Sequence, residues 1–122
     1  MKDVGYEKLI IYQKAKKLVL LIYTLTDSWP KEELYGLTSQ IRRAVVSIVA
    51  NVVEGYSRGG TKEFIRYLEI ALGSLIECEV YLEIAESLKF SSAEEIRRRR
   101  DLLVEVKKLI YSFKKSLKMR IK

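Results

Sequence analysis

A loop rich in glycine, hydroxyl and basic side chains is the first candidate for chemistry in this sequence. The stretch GYSRGGTK spans residues 55–62. Backbone amides of such a loop, with a lysine, can hold the phosphates of a nucleotide. A Walker-type loop needs a preceding strand and a lysine before its threonine, whereas here Thr61 precedes Lys62 and the residues before the loop have helical periodicity. The sequence therefore predicts a helix–helix turn, with Gly59 or Gly60 ending one helix and Thr61 capping the next.

Basic residues surround this turn and continue towards the end of the chain. Arg58, Lys62 and Arg66 recur every four residues and form a short basic row that can touch phosphate as a charged rim. The net charge is +7; residues 1–90 carry 12 basic and 12 acidic side chains, whereas residues 91–122 carry 11 and 4. A concentrated basic segment is the footprint of a protein that binds nucleic acid or an anionic membrane.

The last helical segment separates its apolar and basic side chains. At about 100° per residue, an apolar arc runs from Leu103 to Leu117. The opposite side carries Arg97, Arg100, Lys107, Lys108, Tyr111, Lys114, Lys115 and Lys118. We expect the cations to neutralise backbone phosphates and Tyr111 to stack on a base. The alternative is a solvated face that only confers solubility. Membrane binding is disfavoured, because the core needs the apolar arc.

The sequence contains few residues that could support catalysis or bind a metal. The chain has no histidine and one cysteine, Cys78, which lies in an apolar seam and is expected to be a core residue. The di-iron sites of helical bundles combine carboxylates with Glu-x-x-His pairs. Carboxylates are present at Glu54, Glu77, Glu79 and Glu83, but the histidines are missing. We expect no enzymatic activity, no metal and no cofactor.

A polar group interrupts the apolar second segment. Ser47, Asn51 and Glu54 share one helix face, and Arg42 and Arg43 precede them. These residues form either a functional pocket or a buried hydrogen-bond network that fixes helix register or the subunit interface. We favour the network, because buried polar groups must be paired.

Four segments with helical periodicity must position these residues. We predict one all-α domain over residues 1–122, with helices at about 6–27, 31–57, 61–89 and 92–118. The apolar seams are Ile11, Ala15, Leu18, Ile22 and Leu25; Leu37, Ile41, Ala44 and Ile48; Phe64, Leu68, Ala71, Leu75, Cys78, Leu82 and Ala85; and Leu103, Val106, Ile110, Phe113 and Leu117. Ser92 and Glu95 form a capping box. Short connections predict an antiparallel up-down four-helix bundle.

The surplus of apolar residues points beyond a single bundle. Residues 44–53, AVVSIVANVV, are apolar on nearly every face. They indicate either packing against another subunit, which we favour, or a deeply buried central helix. The longest apolar run, Leu18–Tyr23, is too short for a membrane span, so we expect a cytoplasmic protein without a membrane partner.

Residues 33–77 resemble a known family of four-helix-bundle proteins. Its recurring elements are Tyr35-Gly36-Leu37, Ser39-Gln40, Arg42-Arg43-Ala44, Ser47-Ile48, Asn51, Glu54-Gly55, Phe64 and Ala71-Leu72-Gly73-Ser74. Tyr12-Gln13-Lys14-Ala15 is similar to the family's first-helix motif, with tyrosine in place of the usual tryptophan. The resemblance covers about residues 9–90. The family is encoded in intervening sequences of bacterial 23S rRNA genes and includes the accessory protein of diversity-generating retroelements.

The resemblance implies a homopentamer without catalytic activity that binds nucleic acid. For the retroelement branch it also implies a reverse transcriptase partner. We therefore predict an oligomeric ring that binds nucleic acid, RNA in preference to DNA, through a basic face of the fourth helix. The alternative is a protein-interaction scaffold or accessory subunit without a direct role on nucleic acid.

Overall fold

The computed structural model describes residues 5–121, which contain four α-helices and no β-strand. The helices are α1 (Ile10–Thr26), α2 (Leu37–Arg58), α3 (Thr61–Ser87) and α4 (Ala93–Lys118), with short 3-10 helices at Tyr6–Lys8 and Lys31–Glu33. The predicted all-α class with four helices is confirmed. The predicted domain also includes residues 1–4 and 122, which lie outside the described residues.

The predicted starts of the first two helices were wrong. Leu9 is extended, with φ −73° and ψ 127°, and separates the first 3-10 helix from α1. The second helix was predicted from residue 31, but α2 begins at Leu37, after a 3-10 turn and Gly36 (φ −116°, ψ −116°). Glu33 Oε1 accepts a hydrogen bond from the Leu37 amide at 2.9 Å, which satisfies one donor at the start of α2. The third helix ends at Ser87, two residues before its predicted end at residue 89.

The four predicted apolar seams form the core. All the seam residues of α1 and α3 are buried, as are those of α2 and α4 except the half-buried Leu37 and Phe113. Each α-helix packs against two others, in the cyclic order α1, α2, α3, α4. Cys78 lies in this core, as expected. The heptad-like spacing therefore identified the buried side of every helix.

The α2–α3 turn depends on two glycines. Gly59 has φ 83°, a left-handed conformation that ends α2 without strain. One turn earlier, a Cβ on Gly55 would lie 2.7 Å from Tyr67 Cβ, so α2 and α3 approach closely there. The prediction that Thr61 caps α3 was wrong: Gly60 is the N-cap, and no side chain bonds to the free amides. Helices precede and follow the loop, so it is not a strand-to-helix phosphate loop.

The other two connections meet at the opposite end of α2. Trp29, from the α1–α2 connection, is buried, and its Nε1 donates a 2.7 Å hydrogen bond to Ser91 Oγ, between α3 and α4. The Trp29 ring packs against Phe90 with a centroid distance of 5.7 Å. At the start of α4, Ser92 and Glu95 form the predicted capping box.

Candidate nucleic-acid interface

One row of the predicted basic face on α4 is paired with acidic residues of α3. Lys107 Nζ lies 3.0 Å from Glu79 Oε2, and Lys114 Nζ lies 3.6 Å from Glu69 Oε2. Arg100 is 3.9 Å from Glu86. Lys114 is also poorly accessible, with 16% of its side chain exposed. These three cations therefore hold α3 against α4 rather than face solvent freely.

Arg97 is neutralised within its own helix. Its guanidinium binds Glu94 at 2.8 Å and Asp101 at 3.3 Å. The hydrogen bond and the positive charge of Arg97 hold the pKa of Glu94 below its ordinary value, which is the sign expected for a carboxylate beside a cation. Arg97 thus contributes little unbalanced charge to the predicted face.

The remaining cations of the predicted face are exposed and uncompensated. Lys108, Lys115 and Lys118 form no ion pair with any residue in the described part of the chain. The same is true of Arg98 and Arg120, which the sequence-based prediction did not include. Without a carboxylate in place, an exposed lysine can approach a phosphate with no ion pair to break.

The basic row at the α2–α3 turn, Arg58, Lys62 and Arg66, also contains both paired and unpaired cations. Arg58 binds Glu54 at 2.8 Å and Arg66 binds Glu63 at 3.2 Å. Both guanidinium groups also lie over the Tyr67 ring, at 5.4 Å and 4.5 Å from its centroid. Lys62 is exposed and has no ion pair among the described residues.

The two groups of basic residues meet at one end of the molecule. Arg120 and Leu117 line the same small cleft as Gly59, Gly60 and Thr61, so the last turn of α4 lies beside the α2–α3 turn. This brings four uncompensated cations to one end: Lys62, Lys115, Lys118 and Arg120. We call this set the cationic end. Lys108 extends it along the outer side of α4, about two helical turns before Lys115.

Tyr111 is exposed on α4, where its ring is accessible for stacking on a nucleic-acid base. Its side chain is 50% exposed, and Lys114 Nζ lies 5.6 Å from the centre of its ring. The tyrosine is thus held beside a cation while part of it faces solvent. The exposed part of the ring can stack on a base, while Lys114 stays paired with Glu69.

The predicted polar network does not form one cluster. Asn51 Nδ2 donates to Ser47 O at 2.8 Å, and Ser74 Oγ bonds Ser47 Oγ at 2.8 Å across the α2–α3 contact. Glu54 instead binds Arg58 near the turn. The other members lie apart. Arg42 Nε donates to Thr26 Oγ1 at 2.8 Å and joins α1 to α2, while Arg43 is exposed.

Arg99 was missed by the sequence-based analysis. It is 7% exposed, and its guanidinium donates to Leu21 O at 3.2 Å and to Glu95 O at 3.4 Å. Burial lowers the pKa of Arg99 below its ordinary value. The signal was present, because Ile96, Arg99 and Leu103 follow the seam spacing of α4. Arg99 is a structural link between α4 and α1.

The four carboxylates considered for a metal do not converge. Glu54 and Glu79 are engaged in separate ion pairs, and Glu77 and Glu83 are exposed on α3. Residues 5–121 contain no group of three or more acidic or cysteine side chains arranged to hold a metal ion. Within the same residues, every helix is too short or too polar to cross a bilayer.

Comparisons with known proteins identify the family. The chain is similar to a crystal structure of a protein of unknown function from the S23 ribosomal protein family of Bacteroides thetaiotaomicron VPI-5482. The TM-score is 0.78 at 25% sequence identity, over 87% of this chain and 99% of that chain. No curated protein matches the chain. The sequence profile of the 23S rRNA-intervening sequence proteins matches residues 7–112. The chain therefore belongs to the 23S rRNA-intervening sequence protein family.

Proposed function

We propose that this chain is a non-enzymatic, cytoplasmic protein that binds RNA through phosphate contacts at the cationic end and at Lys108. The observation that carries the proposal is the uneven neutralisation of the basic residues. Arg58, Arg66, Arg97, Arg100, Lys107 and Lys114 all have a carboxylate partner, whereas the four residues of the cationic end have none within the described chain. Four uncompensated cations that lie together at one end attract a polyanion.

Such a surface contacts the backbone and reads little sequence. Lysine and arginine at exposed positions neutralise phosphates and release counterions, which makes binding strongly dependent on salt. Base recognition needs side chains aimed at base edges, and Tyr111 offers stacking instead. RNA is favoured over DNA because the family description links these proteins to ribosomal RNA genes.

We further propose an antiparallel up-down bundle that assembles into a homopentamer. The antiparallel arrangement is supported by the α3–α4 ion pairs, since Lys107 pairs with Glu79 but the later Lys114 pairs with the earlier Glu69. It is also supported by Trp29 and Ser91, which join two connections at one end. The pentamer is supported by the family resemblance. Repetition of the cationic end would convert weak contacts into avidity.

The test is binding of three ligands to the wild-type protein by fluorescence anisotropy across a salt series. The ligands are a hairpin RNA, a DNA duplex of matched length and a polyglutamate peptide of similar charge. Five phosphate contacts predict that log K falls with log salt with a slope of about −3.5 to −4.5. We expect the RNA to bind most tightly. Absence of RNA binding at about 0.15 M salt would contradict the proposal.

A second candidate function is a protein-interaction scaffold, for example an accessory subunit of a reverse transcriptase. It is supported by the exposed aromatic and aliphatic residues beside α2, including Tyr35 at 93% and Leu34 at 48% exposure. Tighter binding of polyglutamate than of RNA would favour an acidic protein partner over nucleic acid.

A further inference from the structure

A groove between α1 and α2 is open to solvent and has a volume of about 720 Å³. We call it the α1–α2 groove and define it by Tyr23, Leu34, Tyr35, Arg43, Val46 and Ala50. Tyr35 is 93% exposed, and Tyr23, Leu34 and Val46 are 39%, 48% and 43% exposed. Large apolar side chains gathered in one open groove are typical of a protein contact surface.

A second apolar surface runs along the outer side of α3. Ile70, Gly73, Glu77, Val80 and Ile84 recur at spacings of three and four, on the side of α3 away from its buried seam. We call these five residues the α3 stripe. Ile70, Val80 and Ile84 are 41%, 45% and 40% exposed. The spacing is that of a helix that packs along a second helical surface. No element in the described part of the chain covers it.

The two surfaces carry opposite charges. Arg43 is exposed in the groove, and Glu77 is exposed in the α3 stripe. Neither residue forms an ion pair within residues 5–121. Contact between a groove and a stripe therefore brings opposite charges together, whereas contact between two grooves or two stripes brings like charges together.

We propose that the α3 stripe of one copy of this chain docks into the α1–α2 groove of the next copy. The helix lies in the groove with its apolar residues buried and Glu77 beside Arg43. Because the two surfaces differ, the contact is head-to-tail, and it closes into a ring when the rotation between copies allows. This inference rests on the oligomeric part of the proposed function and names the surfaces that form the interface.

The test uses one variant for each surface and measures native mass by size-exclusion chromatography with light scattering. Val46→Arg places a charge in the groove, and Val80→Arg places one in the stripe. Each variant alone is expected to run as a 14.2 kDa monomer. Mixed in equal amounts, they are expected to form a dimer and stop there, because the intact stripe of Val46→Arg fits the intact groove of Val80→Arg. Met119→Arg, at a 79% exposed residue outside both surfaces, is expected to keep the wild-type mass.

Several results would overturn the interface. Retention of the wild-type mass by Val46→Arg or Val80→Arg, or a mixture that stays monomeric, contradicts it even when the wild-type protein is an oligomer. A monomeric wild-type protein overturns both the interface and the proposed pentamer, whereas RNA binding is decided separately by the anisotropy experiment. Arg43→Glu and Glu77→Lys form a second pair of variants with the same expected outcomes, and they decide the matter if circular dichroism shows that either arginine variant is unfolded.

Discussion

Lys107 and Lys108 are adjacent in the sequence and carry the same charge, but their surroundings differ. Lys107 turns towards α3 and binds Glu79 at 3.0 Å, whereas Lys108 is exposed on the outer side of α4. A side chain held by a carboxylate must lose that partner before it binds a phosphate. At the scale of single residues, the function of a lysine in this protein therefore depends on its neighbours in space rather than on its charge alone.

Cys78 provides a pH-dependent test of core burial. Burial raises the pKa of its thiol from 9.0 to about 12. The folded protein keeps this proton at pH values where the unfolded chain loses it, so the thiol's contribution to stability is complete below about pH 9 and is lost as the pH rises towards 12. Between pH 8.5 and 10.5, we expect wild type to lose about 2 kcal/mol more unfolding free energy than Cys78→Ala. Denaturant titrations measure both, and equal losses would contradict burial of the thiol.

Gly55 tests the close approach of α2 and α3. A Cβ at this position would lie 2.7 Å from Tyr67 Cβ and 2.9 Å from Phe64 Cδ1. Gly55→Ala should therefore lower the free energy of unfolding by about 1–3 kcal/mol, because the helices must move apart.

Gly73→Ala is the matched control when both changes are made in the Val46→Arg background, in which the α3 stripe that contains Gly73 is not docked. Gly73 also lies within a helix, but outside its own helix backbone and chain neighbours no heavy atom lies within 4 Å of the added carbon. Alanine favours the helix, so this variant should be as stable as its Val46→Arg parent or gain about 0.5–1 kcal/mol. Thermal melts that rank the two variants in the opposite order would show that the close contact is absent.

The predictions of burial succeeded because a periodic pattern within one helix was sufficient, whereas the ion pairs of single lysines were not predictable because the partner carboxylate lies on another helix. The sequence placed Leu68, Cys78 and Leu82 in the core because their spacing follows the helix period. It grouped Lys107 with Lys108 because both lie on one side of an isolated helix. Their separation depends on the position of α3, and spacing within α4 carries no information about that.

At the scale of elements, α3 and α4 are joined by a ladder of ion pairs at the edge of their apolar contact. Arg100, Lys107 and Lys114 are each separated by seven residues, or about two turns, so they project along one edge of α4. Their partners Glu86, Glu79 and Glu69 lie along the facing edge of α3. The ladder matches the register of the two helices and contributes little to stability, while the buried seams supply most of the stabilising area.

Charge reversal within this ladder separates pairing from net charge. Lys107→Glu places two carboxylates together and should lower the free energy of unfolding by about 1 kcal/mol. Lys108→Glu makes the same change in net charge at a position without a partner, and should stay within about 0.5 kcal/mol of wild type. The loss in Lys107→Glu should shrink in 1 M salt, where such pairs are screened. Urea unfolding at two salt concentrations measures this, and equal losses in both variants would contradict the ladder.

The helices themselves were largely predictable, but two of their starts were not. Ser92 with Glu95 marked the beginning of α4, because a capping box satisfies the free amides locally. No comparable signal marked Leu37, whose amide is satisfied by the side chain of Glu33. The sequence pattern therefore placed Glu33 inside the second helix. In the structure it lies in the 3-10 turn before α2, where its side chain accepts a hydrogen bond from the Leu37 amide.

At the scale of the whole molecule, the net charge of +7 is distributed unevenly. Acidic residues of α3 neutralise the nearer edge of α4, so the unpaired cations of α4 lie on its outer side and at the cationic end. The α1–α2 groove and the α3 stripe lie on other parts of the surface. Assembly through those two surfaces therefore leaves the cationic end open, and one molecule can form both the oligomer and the RNA contact that we propose.

The most direct test of the account compares two triple variants with the same net charge by fluorescence anisotropy with hairpin RNA. One changes the uncompensated Lys108, Lys115 and Lys118 to Gln, and the other changes the paired Arg100, Lys107 and Lys114 to Gln. We predict that the first variant loses at least tenfold in affinity at about 0.15 M salt and that its salt slope falls by about 2–3, whereas the second keeps most of both. Equal losses in the two folded variants, or full affinity in the first, would contradict the claim that the uncompensated cations bind the RNA.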